Sequence, residues 1–215
     1  MLPRSLAFTL MCMISTLAQA YELDLGKTKP NIFGYNYVEA GYVSYNDQDL
    51  DGVFLDGSYD LKKNLNATAA YRKTSGDAID ISNFQLGMGY HFKWDFTHPK
   101  RTHDLLKTMD VSALLGVEST KTTVDLPVVG KQSDAEAGIY TGAKFRNQIV
   151  PQVEVAAALV YHSGFDGYFI MSFEGLYEIA KRLHVRIAAD HQDKDPFVNL
   201  FDDDSISIGI RYNFL

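Results

Sequence analysis

Charged side chains recur at every second position of several β-like segments, so one face of these segments is rich in carboxylate and guanidinium groups. Six of these residues are the candidate site residues: Glu39, Arg72, Glu174, Arg186, Asp190 and Arg211. Buried charges are costly unless they are paired and hydrogen-bonded. We therefore expect a polar interior in which the six residues form an ionic network, either as a plug or as the lining of a narrow water-filled path.

Four of the candidate residues lie at similar depth on segments that can become neighbours. Counted from the segment ends, Glu39 lies on the first predicted strand. The other three, Glu174, Arg186 and Arg211, lie on the eighth, ninth and tenth. These strands are adjacent if the sheet closes into a barrel. The spacing therefore predicts that the four side chains contact one another.

Two sets of potential metal ligands are incomplete. Segment 47–52 carries alternate aspartates followed by glycine, as in the first half of a calcium loop, but Ser58 stands where a bidentate glutamate is needed. His98 and His103 lie in a basic turn where only Asp95 or Asp104 stands at a spacing that could complete a ligand set. We expect an acidic hairpin loop, surface histidines, no metal site and no cofactor.

A serine hydrolase is the alternative chemistry. His162, Ser163 and Glu174 supply a base, a nucleophile and an acid of the kind that attacks an ester. Adjacent residues on a strand point to opposite faces, which separates His162 from Ser163 unless the chain twists near Gly164. We therefore predict that the protein is not an enzyme, with a lipid-modifying hydrolase as the alternative.

The elements that must position these residues are strands, because apolar residues recur with period two from Phe33 onward. Ten strands are predicted, at 34–45, 52–62, 65–74, 82–92, 105–119, 134–146, 152–162, 167–178, 183–192 and 205–214. Eight strands with an additional hairpin are the alternative. The pattern leaves almost no room for helix.

The predicted connections alternate in length. Tight turns are expected at 62–64 and 180–182, and longer loops at 46–51, 75–81, 121–133 and 193–204. Alternation of short turns and long loops is typical of up-and-down barrels in outer membranes. The long basic connection 93–104 departs from this alternation.

The face opposite the charges is aliphatic in the middle of the strands and aromatic near their ends. The aromatic residues assigned to it are Tyr35, Tyr42, Tyr59, Tyr71, Tyr90, Phe92, Tyr161, Tyr177, Tyr212 and Phe214. Aromatic girdles at both edges of an apolar band are typical of membrane barrels. The fold predicted is all-β, an antiparallel up-and-down transmembrane β-barrel, with a soluble ligand-binding barrel as the alternative.

The chain begins with an export pattern. Residues 1–20 contain Arg4, an apolar run and a small-x-small end at 18–20, which predicts a cleaved signal peptide followed by a single barrel domain over 21–215. The only cysteine, Cys12, would leave with the signal. The net charge of −7 argues against a nucleic-acid partner.

The C-terminal segment 207–214 resembles the terminal signal of bacterial outer-membrane barrels, with Gly209, Tyr212 and Phe214 in the positions of its glycine and two spaced aromatics. Leu215 departs from that pattern, which usually ends on the aromatic. Together with the first predicted strand, this C-terminal segment makes the chain similar to small OmpA-like outer-membrane β-barrel proteins of Gram-negative bacteria. The resemblance implies an outer-membrane location, contact with membrane lipid and lipopolysaccharide, and insertion by the barrel-assembly machinery.

The function predicted is that of a non-enzymatic outer-membrane barrel, structural or porin-like, with a narrow charged lumen. The sequence leaves open the oligomeric state and whether the lumen conducts. Two other functions also stay open: an outer-membrane lipid-modifying hydrolase, resembling lipid A deacylases, and a soluble ligand-binding barrel.

Overall fold

The structure, a computed structural model, describes residues 34–46, 49–62, 64–95, 108–128, 130–164, 167–193 and 204–214. The expectations for the signal peptide, for the aspartate at 47, for His98 and His103, and for Leu215 lie outside these residues.

Ten antiparallel strands form one closed barrel, which confirms the predicted fold class and strand number. The strands are β1 Tyr37–Tyr45, β2 Leu50–Lys62, β3 Leu65–Ser75, β4 Ile79–Asp95, β5 Thr108–Leu126, β6 Gly130–Val150, β7 Val153–His162, β8 Tyr168–Ala180, β9 Leu183–Asp193 and β10 Asp204–Asn213. Each strand pairs with its neighbours in the chain, and β1 pairs with β10 to close the barrel. We call the end that holds Tyr37 and Asn213 the near end, and the opposite end the far end.

The alternation of side chains gives the barrel a polar interior and an apolar exterior. In β1, Glu39 is 2% exposed, whereas the neighbouring Val38 is 44% exposed. The same inversion holds in β10, where Arg211 is 3% exposed and Ile210 is 47% exposed. Apolar residues thus cover the outside, where a water-soluble protein would place polar ones.

Tyr35 is an exception to the predicted aromatic exterior. Its side chain lies inside the barrel, where the hydroxyl donates to Asp110 Oδ2 at 2.8 Å and lies 2.9 Å from Ser112 Oγ. The assignment to the outer face was wrong because Tyr35 has the same parity as Glu39 and therefore shares its face. Six of the other tyrosines are 40–54% exposed on the outside, as predicted: Tyr42, Tyr59, Tyr71, Tyr90, Tyr177 and Tyr212.

Two loops predicted at the far end are largely strand. The turn between β3 and β4 spans only 76–78, and β5 and β6 continue to Leu126 and from Gly130, so the loops predicted at 75–81 and 121–133 were wrong. The hairpin formed by β5 and β6 extends past the other strands, and its side chains there are exposed on both faces. In this extension Thr123 Oγ1 lies 2.9 Å from Ser133 Oγ. The apolar alternation disappears there because neither face covers a core. The tight turn at 180–182 is confirmed, and β2 and β3 pair up to Lys62 and Leu65.

Glycines in the barrel wall make room for inward-pointing aromatic rings. The ring of Phe54 lies against Gly41 and Gly209, where an added Cβ would approach its carbons to 2.6 and 2.8 Å. The ring of Tyr140 lies against Gly116 in the same way. These glycines therefore have a packing role inside a narrow barrel.

Replacing Gly116 by alanine tests this packing. An added Cβ at Gly116 would meet the Tyr140 ring and the Leu86 carbonyl oxygen, so Gly116→Ala is expected to lower the free energy of unfolding by about 1–3 kcal/mol. Urea unfolding of the protein in lipid vesicles measures this loss. Gly57→Ala is the matched control, since its Cβ would meet only the Tyr37 carbonyl oxygen, at 3.5 Å. Equal stabilities for the two variants would contradict this role of Gly116.

Candidate functional site in the barrel lumen

Strand pairing brings four charged side chains to one level of the lumen. Glu39 on β1 is opposite Arg211 on β10, and Arg186 on β9 is opposite Gly209, two residues before Arg211. Glu174 on β8 is opposite Ala188, two residues after Arg186. Residues two apart share a face, so all four side chains point inward at neighbouring positions.

These four residues form an alternating set of contacts, which we call the central quartet. Arg211 contacts both glutamates, with its Nε 2.6 Å from Glu39 Oε2 and its terminal nitrogen 3.1 Å from Glu174 Oε1. Arg186 Nε also contacts both, at 3.0 Å from Glu39 Oε1 and 2.8 Å from Glu174 Oε2. Each charge therefore has two partners of opposite sign, and the quartet carries no net charge.

The central quartet is buried and is enclosed by aromatic rings. The exposed fractions of the Glu39 and Arg211 side chains are 1% and 4%. The Arg211 guanidinium lies 4.2 Å from the centre of the Tyr37 ring, and that of Arg186 lies 5.2 Å from the centre of the Phe54 ring. Attraction between opposite charges is strong where water is excluded, whereas a single charge left there is costly. The quartet can therefore hold four strands together and block the lumen at its level.

The remaining two predicted residues form a separate contact. Arg72 on β3 reaches Asp190 on β9 across the lumen, at 3.2 Å, and also donates to the hydroxyl of Tyr45. Both partners lie toward the far end, and Arg72 is 31% exposed. The six residues thus fall into a buried central quartet and a partly exposed Arg72–Asp190 bridge.

A further ionic group fills the near end and was not among the predicted site residues. Arg146 holds Glu154 through two hydrogen bonds of 2.7 and 3.0 Å, and its guanidinium lies 4.8 Å from the centre of the Tyr35 ring. Tyr35 in turn binds Asp110, which is 1% exposed. Parity places all of these charges on the polar face, but their partners follow from contacts across the closed barrel.

The structure does not assemble the alternative hydrolase triad. His162 Nδ1 lies 2.7 Å from Glu118 Oε2, and its ring stacks on Tyr168 with ring centres 4.8 Å apart. Glu174 is instead bound by the arginines of the quartet. The exposed Ser163 accepts a hydrogen bond from the Ile139 amide through its Oγ. The acid that contacts His162 is therefore Glu118, which sequence reasoning did not select.

A cavity of about 320 Å³, which we call the chamber, separates the two ionic contacts. Glu39, Glu174 and Arg186 of the quartet line it on one side, and Arg72 and Asp190 line it on the other. Its walls combine charged, hydroxyl and aromatic side chains. The chamber can therefore hold a small polar molecule.

The described residues contain neither a cluster of metal ligands nor a membrane-spanning helix. Within the described part of the chain, no group of three or more histidine, cysteine or acidic residues could hold a metal ion. No helix in the same residues is long and apolar enough to cross a membrane.

The residues of the predicted assembly signal occupy different environments. Gly209 faces the lumen against Phe54, and Tyr212 is 45% exposed on the outside. The Phe214 ring stacks on Tyr59 with centres 6.5 Å apart, and the Phe214 amide donates to the Asn36 carbonyl at 3.0 Å. The C-terminal segment therefore helps to close the barrel.

No family model matches this sequence, and no curated protein matches it. Among solved structures, the chain is similar to the NanC porin, with 10% identity and a TM-score of 0.50 over 82% of this chain and 100% of that one. It is also similar to the KdgM porin, with 7% identity and a TM-score of 0.46 over 83% and 99% of the two chains. For the N-terminal barrel of Pseudomonas aeruginosa OprF, the identity is 15% and the TM-score 0.42, over 85% and 100%. The likeness to the NanC porin shows a shared barrel fold.

Removing one partner of an ion pair in the quartet and removing both partners are expected to change the free energy of unfolding by different amounts. Arg211→Ala leaves Glu39 buried with one partner fewer and should lower the free energy of unfolding by about 3–5 kcal/mol. The double variant Glu39→Ala/Arg211→Ala removes both charges and should lose much less than the sum of the single variants. Urea unfolding in lipid vesicles measures all three variants.

The exposed pair formed by His191 and Asp204 supplies the control, because it should contribute less than about 1 kcal/mol. Additive losses for Glu39 and Arg211 would contradict their coupling in the quartet.

Proposed function

We propose that the chain is an exported outer-membrane β-barrel of a Gram-negative bacterium, non-enzymatic and porin-like, whose lumen is held closed by the central quartet. The single observation that carries this proposal is the inverted distribution of polarity, with charges buried inside and apolar side chains exposed outside. The closed ten-stranded fold gives the frame for this arrangement.

The apolar exterior supports a membrane location. Leu115, Val117 and Phe173 are 51–58% exposed, and they belong to a band of outward-pointing residues on successive strands. An exposed apolar surface that extends around the protein is unfavourable in water and favourable against lipid tails. Closure of the barrel also satisfies every strand edge, which a bilayer requires. The soluble ligand-binding barrel is therefore the weaker alternative.

The filling of the near half of the lumen supports a closed channel. Tyr35 and Tyr37 are 6% and 9% exposed, and Asp110 and Arg146 are 1% and 3% exposed, below the level of the quartet. A water-filled path would leave such side chains hydrated. The lumen is therefore porin-like in architecture and closed at rest.

Partners and export are proposed on the same basis. The aromatic residues at the barrel ends would contact membrane lipid and lipopolysaccharide, and Gly209, Tyr212 and Phe214 would present the C-terminal strand to the barrel-assembly machinery. Residues 1–20 would direct export and be removed. The separation of Glu174 from His162 supports a protein without hydrolase activity.

Single-channel recording tests closure by the quartet. The refolded protein, shown by vesicle flotation to be inserted, is expected to give no current steps in a planar bilayer. The quartet variant for this test combines Glu39→Ala/Arg211→Ala with Arg146→Ala/Glu154→Ala, because the near-end group also fills the lumen. It removes two acids and two bases without changing the net charge, and it is expected to give discrete steps. The rim variant His191→Ala/Asp204→Ala should stay silent, because its pair is exposed outside the blocked level.

Steps of equal size from the wild-type protein and the quartet variant would contradict closure by the quartet. Silence from both inserted proteins would contradict it as well, since the block would then lie elsewhere.

A further inference from the structure

Two further charged residues lie beside the quartet, whose own two acids and two bases already balance. Lys144 on β6 contributes a third base, whose Nζ lies 3.4 Å from Glu174 Oε1, an atom that already accepts a hydrogen bond from Arg211 at 3.1 Å. Asp56 on β2 contributes a third acid, and it forms no hydrogen bond or salt bridge with any described residue. After the quartet is complete, Lys144 shares Glu174 with Arg211, and Asp56 has no hydrogen-bond or salt-bridge partner among the described residues.

Both excess charges line the chamber, and they do not bind each other. Lys144 and Asp56 belong to strands separated by β3, β4 and β5, so they reach the chamber from strands that are not adjacent. The two groups form no salt bridge, although both are screened from bulk water by the barrel. A ligand that carries one positive and one negative group can pair with both, whereas a purely anionic or cationic ligand leaves one of them unsatisfied.

The wall of the chamber next to Lys144 is aromatic. The His162 ring lies between Tyr168 and Tyr140, with ring centres 4.8 and 5.8 Å away and interplanar angles of 4° and 26°. All three side chains line the chamber, and Ala156 and Ala158 lie on the same wall. Stacked rings and small alanines offer a surface on which a flat apolar group can pack.

We propose that the chamber binds a free zwitterionic α-amino acid with an aromatic side chain. Its carboxylate pairs with Lys144, its ammonium group pairs with Asp56, and its ring packs on the wall formed by Tyr140, His162 and Tyr168. This proposal rests on the proposed function, because it identifies the class of solute that enters the lumen of that barrel. The volume of about 320 Å³ suits a molecule of this size better than a polymer.

The Arg72–Asp190 bridge gives the ligand a way in. It is one partly exposed ion pair, with side chains 31% and 12% exposed, in which Arg72 also donates to the Tyr45 hydroxyl. The buried quartet on the other side of the chamber is held by four ionic contacts. Entry from the far end is therefore easier than exit through the near end, so the chamber acts as a binding pocket while the quartet stays closed.

Isothermal titration calorimetry of the refolded protein in detergent micelles tests this proposal with three probes of similar shape. L-Phenylalanine carries both charges, 3-phenylpropionate lacks the ammonium group, and phenethylamine lacks the carboxylate. Each charged contact in a water-excluded site contributes enough to change affinity at least about tenfold. We expect L-phenylalanine to bind at least about tenfold more tightly than either analogue.

Two substitutions assign each charge to its partner. Lys144→Met should weaken L-phenylalanine binding and abolish its advantage over phenethylamine, while the advantage over 3-phenylpropionate remains. Asp56→Asn should have the reciprocal effect. Lys121→Met is the matched control, because Lys121 is exposed on the β5–β6 hairpin, and it should leave all three affinities unchanged.

No binding of L-phenylalanine, equal affinities for the three probes, or unchanged discrimination in both lumen variants would each overturn the proposal. Failure of this inference is distinguishable from failure of the proposed function. A protein that inserts, stays silent and conducts after the quartet change, but does not bind L-phenylalanine, would retain the proposed function and lose only this ligand.

Discussion

The cost of burying charge is the constraint on which this barrel depends. Glu39, Arg211, Arg186 and Glu174 lie where water is excluded, and each is stable there only because it has one partner on an adjacent strand and another on the next strand but one. The quartet spans the β1–β10 pair that closes the barrel. Strand closure and charge pairing therefore require each other, since an open sheet would leave these groups without a full set of partners.

Period-two alternation accounts for what the sequence could predict. It predicted ten strands and the inward face of Glu39, because strand neighbours and parity are properties of the chain alone. It did not predict that Arg72 binds Asp190 or that His162 binds Glu118, because these contacts depend on how a tilted sheet curves around its lumen. The far ends of β5 and β6 were missed for another reason, since strands exposed on both faces lose the apolar alternation.

The two halves of the lumen have different roles, one in stability and the other in binding. Its near half is filled by paired charges and aromatic rings, whereas its far half holds the chamber behind the partly exposed Arg72–Asp190 bridge. The glycines that accommodate Phe54 and Tyr140 allow both halves to coexist in a barrel of ten strands. The same polar face thus supplies the contacts that close the barrel and the groups that a small solute would meet.

Spin labelling along β8 in lipid bilayers tests the central claim most directly. That claim is that the apolar face of the barrel meets lipid and that the charged face encloses a closed lumen. Labels at Met171 and Phe173, which are 42% and 51% exposed, should collide readily with oxygen dissolved in the lipid. A label at Ser172, which lines the chamber, should collide poorly with oxygen dissolved in the lipid. High accessibility of Met171 and Phe173 to the nickel reagent would contradict the account.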